Sequence, residues 1–223
     1  MIKENLQHIE NTLPENVTLV AVSKTKPVEA IEEAYEAGQR VFGENKVQEM
    51  CGKYEVLPQD IEWHMIGHLQ RNKVKYMAHF VDLIHGVDNL KLLQEINKQA
   101  QRHNRIIKCL LQIKIAEEDS KFGLSQEEAI TILDSQEFNQ MENISIEGVM
   151  GMATFTDDEN QIRNEFKTLK TIFDGLNEQL ILKDKQLKTI SMGMSGDYPI
   201  AIEEGSTMVR VGSSIFGARN YAV

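Results

Sequence analysis

The chain has 223 residues, of which 41% are hydrophobic and 26% are charged, a composition typical of globular proteins that excludes fibrous and disordered classes. Its 24 basic and 34 acidic residues give a net charge of −10, which argues against a nucleic-acid partner and against binding to an anionic membrane surface. No apolar run approaches the roughly 20 residues of a membrane span, and the N-terminus lacks a signal-peptide core, so we expect a cytoplasmic protein.

The first half of the chain alternates short apolar runs with longer amphipathic stretches. A short amphipathic helix leads, and the runs that predict strands lie at residues 19–22, 40–43, 62–66 and 81–85. Pro27 opens a helix that Gly38 ends, and further helices begin near Lys46 and after Arg71. Asp88 is the expected N-cap of a helix that runs to about residue 103.

The second half repeats this alternation. Its predicted strands lie at residues 106–113, 144–150, 187–192 and 208–211. Ser125 and Glu128 have the spacing of a capping box, a long helix covers about residues 159–182, and a short helix follows Asp197.

Eight strand–helix units in succession predict an α/β fold with parallel strands and right-handed crossovers. We expect a single (β/α)8 TIM-type barrel with a short extra N-terminal helix, and one domain over residues 1–223. An open, doubly wound sheet is the alternative. No GxGxxG motif follows the first strand, which weakens a dinucleotide-binding version of that alternative.

Active sites of such barrels form at the carboxyl ends of the strands. Lys24 follows the first strand, where partial desolvation would disfavour the ammonium and free the amine for attack on a carbonyl. This position predicts a Schiff-base lysine. The alternative is a strand-end lysine whose ammonium extends to solvent.

The loops after the seventh and eighth strands are small and rich in glycine and serine, at residues 193–196 and 212–214. Such loops let backbone N–H groups approach an anion, and in this fold they are the usual phosphate site. Plain turns are the alternative. A lysine opposite a phosphate site points to a ligand with both an aldehyde and a phosphate, and pyridoxal 5′-phosphate has both.

Arg210 lies between two valines of the last strand, so alternation places it on the opposite face from them. A guanidinium at the barrel mouth could hydrogen-bond a pyridine nitrogen and, because it stays protonated, would leave that nitrogen unprotonated. The alternative is an inward salt bridge to Glu44 or Glu203.

Three further sets of side chains have structural interpretations. His64 and His68 fall on a strand and a turn rather than on one helix face, so we expect no metal site. Cys51 and Cys109 lack CxxC spacing and are expected to be free thiols. Four methionines are expected to fill the barrel, namely Met150, Met152, Met192 and Met194.

Around these residues the chain resembles the pyridoxal-phosphate homeostasis (YggS/PROSC) family over nearly its whole length. Seven tracts in the same order carry the resemblance: residues 21–27 (AVSKTKP), 42–49 (FGENKVQE), 63–70 (WHMIGHLQ), 120–123 (SKFG), 148–152 (GVMGM), 191–197 (SMGMSGD) and 209–217 (VRVGSSIFG). It implies a barrel like the N-terminal domain of bacterial alanine racemase. His68 and Ser214 stand at positions where the family varies.

The resemblance also implies the roles of the site residues. Pyridoxal 5′-phosphate would be held as a covalent aldimine on Lys24, with Arg210 facing the pyridine nitrogen and Asn45 beside the ring. The phosphate would lie on Ser195, Gly196, Gly212 and Ser213, and Met194 completes the expected cofactor site.

The implied role is to bind the cofactor, to pass it on and to balance amino- and keto-acid pools, with pyridoxal-dependent apoenzymes as the recipients. We expect a monomer without substantial catalytic turnover. An amino-acid racemase is the alternative, but racemisation needs a second base opposite Lys24. Alanine racemases take it from a further domain, for which a chain ending at Val223 leaves no room; Tyr198 and Tyr221 are the tyrosines nearest the mouth. A Schiff-base aldolase with Glu44 as acidic partner is a third option.

Overall fold

The computed structural model describes residues 1–118, 122–181 and 186–218. Eight parallel strands close into one barrel in sequence order, and the first strand pairs with the last. The strands are β1 (Thr18–Val22), β2 (Val41–Glu44), β3 (Glu62–Met65), β4 (Leu83–Val87), β5 (Ile107–Gln112), β6 (Ile144–Met150), β7 (Thr189–Met194) and β8 (Met208–Val211). The closed barrel is confirmed, and the open sheet is wrong.

Helices connect the strands on the outside. They are α1 (Ile2–Glu10), α2 (Val28–Glu36), α3 (Val47–Val56), α4 (Val74–Met77), α5 (Leu90–Arg102), α6 (Gln126–Asp134), α7 (Gln136–Asn139), α8 (Glu159–Ile181), α9 (Tyr198–Glu203) and α10 (Ser213–Phe216), with a 3-10 turn at Arg71–Lys73. The short helices α7 and α10 were not predicted. No helix among the described residues is long and apolar enough to cross a membrane.

Two apolar layers hold the barrel together. Inside it, Val20, Leu83, Leu110, Met150 and Met208 pack against one another, each from a different strand. The larger layer lies between the outer faces of the strands and the helices, as expected where parallel strands are covered on both faces. Met150 lies in the inner layer as predicted, and Met152 is half-buried against it. Met192 is buried in the outer layer instead, and Met194 is 36% exposed, so neither fills the barrel.

The helix caps agree with the sequence in one case and differ in another. The capping box is confirmed: Ser125 Oγ accepts from the Glu128 N–H at 3.1 Å, and Glu128 Oε2 accepts from the Ser125 N–H at 2.8 Å. The predicted Asp88 cap of α5 is wrong. Asn89 is the N-cap, its side-chain oxygen accepting from the Leu92 N–H at 2.8 Å, because β4 extends two residues further than predicted.

Candidate functional site

A cavity of about 510 Å³ opens at the carboxyl ends of the strands. It is lined by every residue of the predicted site, namely Lys24, Asn45, Met194, Ser195, Gly196, Arg210, Gly212 and Ser213. These residues come together because β1, β2, β7 and β8 are neighbours in the closed barrel. The lining also includes residues that the sequence analysis did not select, among them Lys26, His68, Gln112 and Asp197.

Lys24 is half-buried and lies in a tight turn directly after β1. The Ser23 N–H donates to the Gly43 carbonyl at 3.1 Å, which continues the pairing with β2 past the strand end. Thr25 has φ of 63°, a left-handed conformation that β-branched residues rarely adopt. The Glu49 carboxylate accepts from the Thr25 N–H at 2.6 Å, so helix α3 stabilises this turn.

A buried ionic cluster lies behind that turn. The Lys53 ammonium donates to Glu44 Oε1 at 2.6 Å, to Glu49 Oε1 at 2.7 Å and to the Ser23 carbonyl at 2.8 Å. The Ser23 hydroxyl also donates to Glu44, at 2.6 Å. Both neighbours of Lys24 are therefore bonded to one cluster. The sequence analysis missed Lys53 and Glu49 because an i, i+4 pair on a helix resembles an ordinary surface pair.

Glu44 is fully buried, and its Oε2 has no hydrogen-bond partner among the described residues. Burial raises the pKa of Glu44 to about 7, although the Lys53 ammonium acts in the opposite direction. The side chain does not line the cavity. It is thus placed to support the Lys24 turn and not to exchange protons with a ligand, which removes the acidic partner that the aldolase alternative required.

Arg210 is 4% exposed and reaches the cavity from β8. Its guanidinium donates to Ser191 Oγ at 2.5 Å and to the Gly151 carbonyl at 3.1 Å. Burial lowers the pKa of Arg210 to about 10, with Asp197 acting in the opposite direction, so the group stays protonated at neutral pH. The alternative salt bridges are wrong, because Glu44 pairs with Lys53 and Glu203 pairs with Arg163.

The loops after β7 and β8 meet at one side of the cavity. The Gly212 N–H donates to Ser195 Oγ at 3.1 Å and so joins the two loops. The Asp197 carboxylate accepts from the Met194 N–H at 2.6 Å, and burial raises its pKa. Gly193 has φ of +100°, and a Cβ there would lie 2.7 Å from the Ala201 Cβ, so this tight turn needs glycine.

Asn45 follows β2 and is placed by close backbone packing with the loop after β3. A Cβ on Gly67 would lie 2.4 Å from the Asn45 carbonyl oxygen, so only glycine allows the two loops to approach. His68, the next residue, lines the cavity and stacks on Phe122 with ring centroids 4.4 Å apart.

The two histidines of this segment are separated by the fold. His64 is buried inside the barrel, whereas His68 faces the cavity. In the part of the chain that the structure describes, three side chains with potential metal ligands approach one another, within 4.8 Å: Glu62, His64 and Asp82. Lys108 Nζ lies 3.6 Å from Asp82 and supplies positive charge there, so we assign no metal.

Of the two tyrosines considered as a second base, Tyr198 is described by the structure, and it is not at the cavity. The Tyr198 hydroxyl lies 3.1 Å from the Thr12 hydroxyl and does not line the cavity. Tyr221, and Ser120 and Lys121 of the tract at residues 120–123, lie outside the described residues. Both cysteines are free, as expected, Cys109 being buried and Cys51 half-buried.

Known proteins share this chain's sequence over nearly its whole length. The family model described as the alanine racemase N-terminal domain matches residues 1–220. The pyridoxal phosphate homeostasis protein of Vibrio alginolyticus is 40% identical over 237 residues, which cover 99% of this chain and 99% of that protein.

Solved structures agree with this similarity. PipY of Synechococcus elongatus with pyridoxal phosphate (PLP) bound is 35% identical, with a TM-score of 0.88 over 97% of this chain and 100% of PipY. Alanine racemase of Clostridium difficile shares the fold at 18% identity and a TM-score of 0.79, and this chain covers 56% of it.

Proposed function

This chain belongs to the family of pyridoxal phosphate homeostasis proteins, and from that premise we propose that it binds pyridoxal 5′-phosphate at the barrel mouth through a Schiff base to Lys24. One observation carries the proposal. A single cavity is lined by a half-buried lysine, a buried arginine and two glycine- and serine-containing loops. The PLP-bound structure of PipY, a relative of the same fold, supports it.

The donor set of this chain fits the cofactor at both of its reactive ends. The Lys24 amine would meet the aldehyde, and the loops at Ser195, Gly196, Gly212 and Ser213 would hold the phosphate, with Met194 beside them. Asp197 borders these loops, and burial raises the pKa of its carboxyl group. The cofactor itself supplies an aldehyde that condenses with amines and a ring that withdraws electrons.

Arg210 would face the ring nitrogen. A guanidinium has five N–H donors and no acceptor, and its bonds to Ser191 and Gly151 use two of them. A cationic donor at that nitrogen keeps it unprotonated, which weakens the ring as an electron sink. Asn45 would lie beside the ring. These assignments favour holding the cofactor over using it for carbanion chemistry.

We propose a carrier and buffer of the cofactor, working in the cytoplasm as a monomer, without substantial turnover and with possible delivery to pyridoxal-dependent apoenzymes. Relatives that match end to end are named homeostasis proteins and not enzymes. The likeness to alanine racemase, at 18% identity, supports the fold alone. Tyr198, the described candidate for a second base, bonds to Thr12 away from the cavity.

The test is to reduce the holoprotein with borohydride and to map the modified peptide. We expect the label on Lys24, its loss in Lys24→Ala, and its retention in Lys26→Ala, since the Lys26 ammonium donates to the Phe216 and Gly217 carbonyls. Label on Lys26 or elsewhere would refute the Schiff-base assignment. Incubation with L-alanine followed by chiral analysis separates the two functions, and turnover at an enzyme's rate would establish the racemase.

A further inference from the structure

A row of buried polar side chains crosses the inside of the barrel beneath the cavity. His64 on β3, His85 on β4, Ser191 on β7 and Arg210 on β8 are each at most 4% exposed. His64 Nδ1 lies 3.0 Å from His85 Nε2, and His85 Nδ1 lies 2.9 Å from Ser191 Oγ. Since β4 and β7 are not neighbours in the barrel, the contact between His85 and Ser191 spans its interior.

The row has a charge at each end. Arg210 donates to Ser191 Oγ at the cavity, and at the opposite end Asp82, just before β4, lies 3.7 Å from His64 Nε2. His64 lowers the pKa of Asp82, so that residue is a carboxylate at neutral pH. The arginine is thus linked through Ser191, His85 and His64 to a carboxylate at the amino end of the strands.

One set of hydrogen-bond directions satisfies both ends of the row. Arg210 can only donate, so Ser191 Oγ accepts from it, which leaves the Ser191 proton free to point to His85 Nδ1. A His64 proton on Nε2 would face the acceptor Asp82 and leave Nδ1 to accept from the His85 Nε2–H. Burial above all holds the pKa of His85 well below its usual range, which agrees with a neutral His85 ring.

The strand pairing is irregular at two places along this row, near His85 and near Ser191. The β4–β5 register shifts between Ile84 and Val87, where His85 lies. The β7–β8 register shifts between Ser191 and Met194, opposite Arg210. Register shifts of this kind redirect side chains, and buried networks in which every partner is satisfied hold a single geometry.

We propose that His64, His85 and Ser191 are positioning residues that orient the Arg210 guanidinium toward its ligand, with Asp82 as its remote counter-charge. This rests on the proposed function, in which Arg210 meets the cofactor ring. The residues act through Arg210 and do not line the cavity.

The first test determines the direction of the hydrogen bonds along this row of side chains, the relay, in the protein without cofactor. Nitrogen-15 NMR of the imidazoles should show the Nε2–H form for both His64 and His85. A His85 protonated on Nδ1, or a cationic ring at neutral pH, would overturn the proposed relay. This measurement stands even if the protein binds no pyridoxal phosphate, which would refute the proposed function instead.

The second test compares two buried serines in the loaded protein. Ser191→Ala removes the link to Arg210, whereas Ser206→Ala removes a buried hydroxyl that bonds to the Met192 carbonyl at 2.7 Å and is no part of the relay. We expect dissociation of pyridoxal 5′-phosphate to accelerate about tenfold in Ser191→Ala, with a change in the cofactor's absorbance, and neither effect in Ser206→Ala.

A third variant separates positioning from packing. Gln at position 85 can accept from Ser191 and donate to His64, whereas Leu can do neither. We expect His85→Gln to keep the wild-type dissociation rate and His85→Leu to match Ser191→Ala. Equal dissociation rates in the two serine variants while the wild type binds the cofactor would refute the positioning role and leave the proposed function intact.

Discussion

The fold changes the ionisation of Glu44 in the cluster behind the Lys24 turn. Its pKa is about 7 in the folded protein because burial disfavours the carboxylate, and 4.5 is its ordinary value. The folded state therefore binds this proton more tightly than the unfolded chain does. The stability that the group contributes is fully present below pH 4.5 and is lost as the pH rises through 7.

This sign gives a test in Glu44→Gln, which cannot titrate. We expect the free energy of unfolding of the wild type, relative to the variant, to fall by ~3 kcal/mol between pH 4.5 and pH 7. Denaturant titrations across that range measure it. Glu55→Gln, an exposed change on α3, the helix that carries Lys53, should show no such slope. A pH-independent difference for Glu44→Gln would contradict the raised pKa.

The sequence was informative about residues at strand ends and less informative about their partners. Lys24 and Arg210 could be selected because alternation and strand ends define which side chains reach a barrel mouth. The residues that hold them in place could not. Ser191 meets Arg210 only through the closed barrel. Lys53 and Glu49 lie on a helix packed outside the barrel and bond to the two neighbours of Lys24 in the chain. The positions of these residues along the chain do not indicate that they are close in space.

At the scale of elements, Asp88 and Asn89 are adjacent candidates for the N-cap of α5. Asn89→Ala removes the bond from the Leu92 N–H, and we expect it to destabilise the protein by ~1 kcal/mol. Asp88→Ala should cost less than half of that, because Asp88 accepts from the Asn89 side chain at 2.8 Å and lies 4.0 Å from His68 Nδ1, whereas Asn89 caps the helix. Thermal unfolding of both variants decides, and a larger loss in Asp88→Ala would restore Asp88 as the cap.

Strand positions show where local pattern misleads. The expected seventh strand began at Leu187, but both backbone groups of Leu187 bond to the Asn177 side chain on α8, which delays the strand to Thr189. At its other end β7 continues through Gly193 to Met194, which composition alone suggested to be loop. In contrast, β6 and β8 were predicted with the bounds observed, because their apolar runs end at clear turn residues.

At the scale of the whole molecule, the N-terminal helix is joined to the end of the barrel where the cavity opens. Leu6 is fully buried, and the Asn5 side chain donates to the Ile215 carbonyl of α10 at 3.0 Å. Because α10 begins at Ser213, α1 supports one of the loops proposed to hold the phosphate. The sequence placed α1 outside the repeat but could not show what it covers.

Leu6→Ala tests this connection. We expect a loss of ~2–5 kcal/mol in unfolding free energy from the cavity it leaves, together with faster release of pyridoxal 5′-phosphate. Gln7→Ala, at an exposed position of the same helix, should change neither quantity. Stability lost without any change in release would show that α1 stabilises the barrel but not the phosphate loop.

The pairing of β1 with β8 has a consequence for synthesis on the ribosome. Lys24 is synthesised long before Arg210 and Ser213, and the barrel closes only when β8 joins β1. A nascent chain that contains β1 but not β8 therefore has Lys24 without Arg210 or the loop proposed to hold the phosphate. We expect pyridoxal 5′-phosphate to bind only after β8 has left the exit tunnel, so that the ligand meets a closed barrel rather than a growing chain.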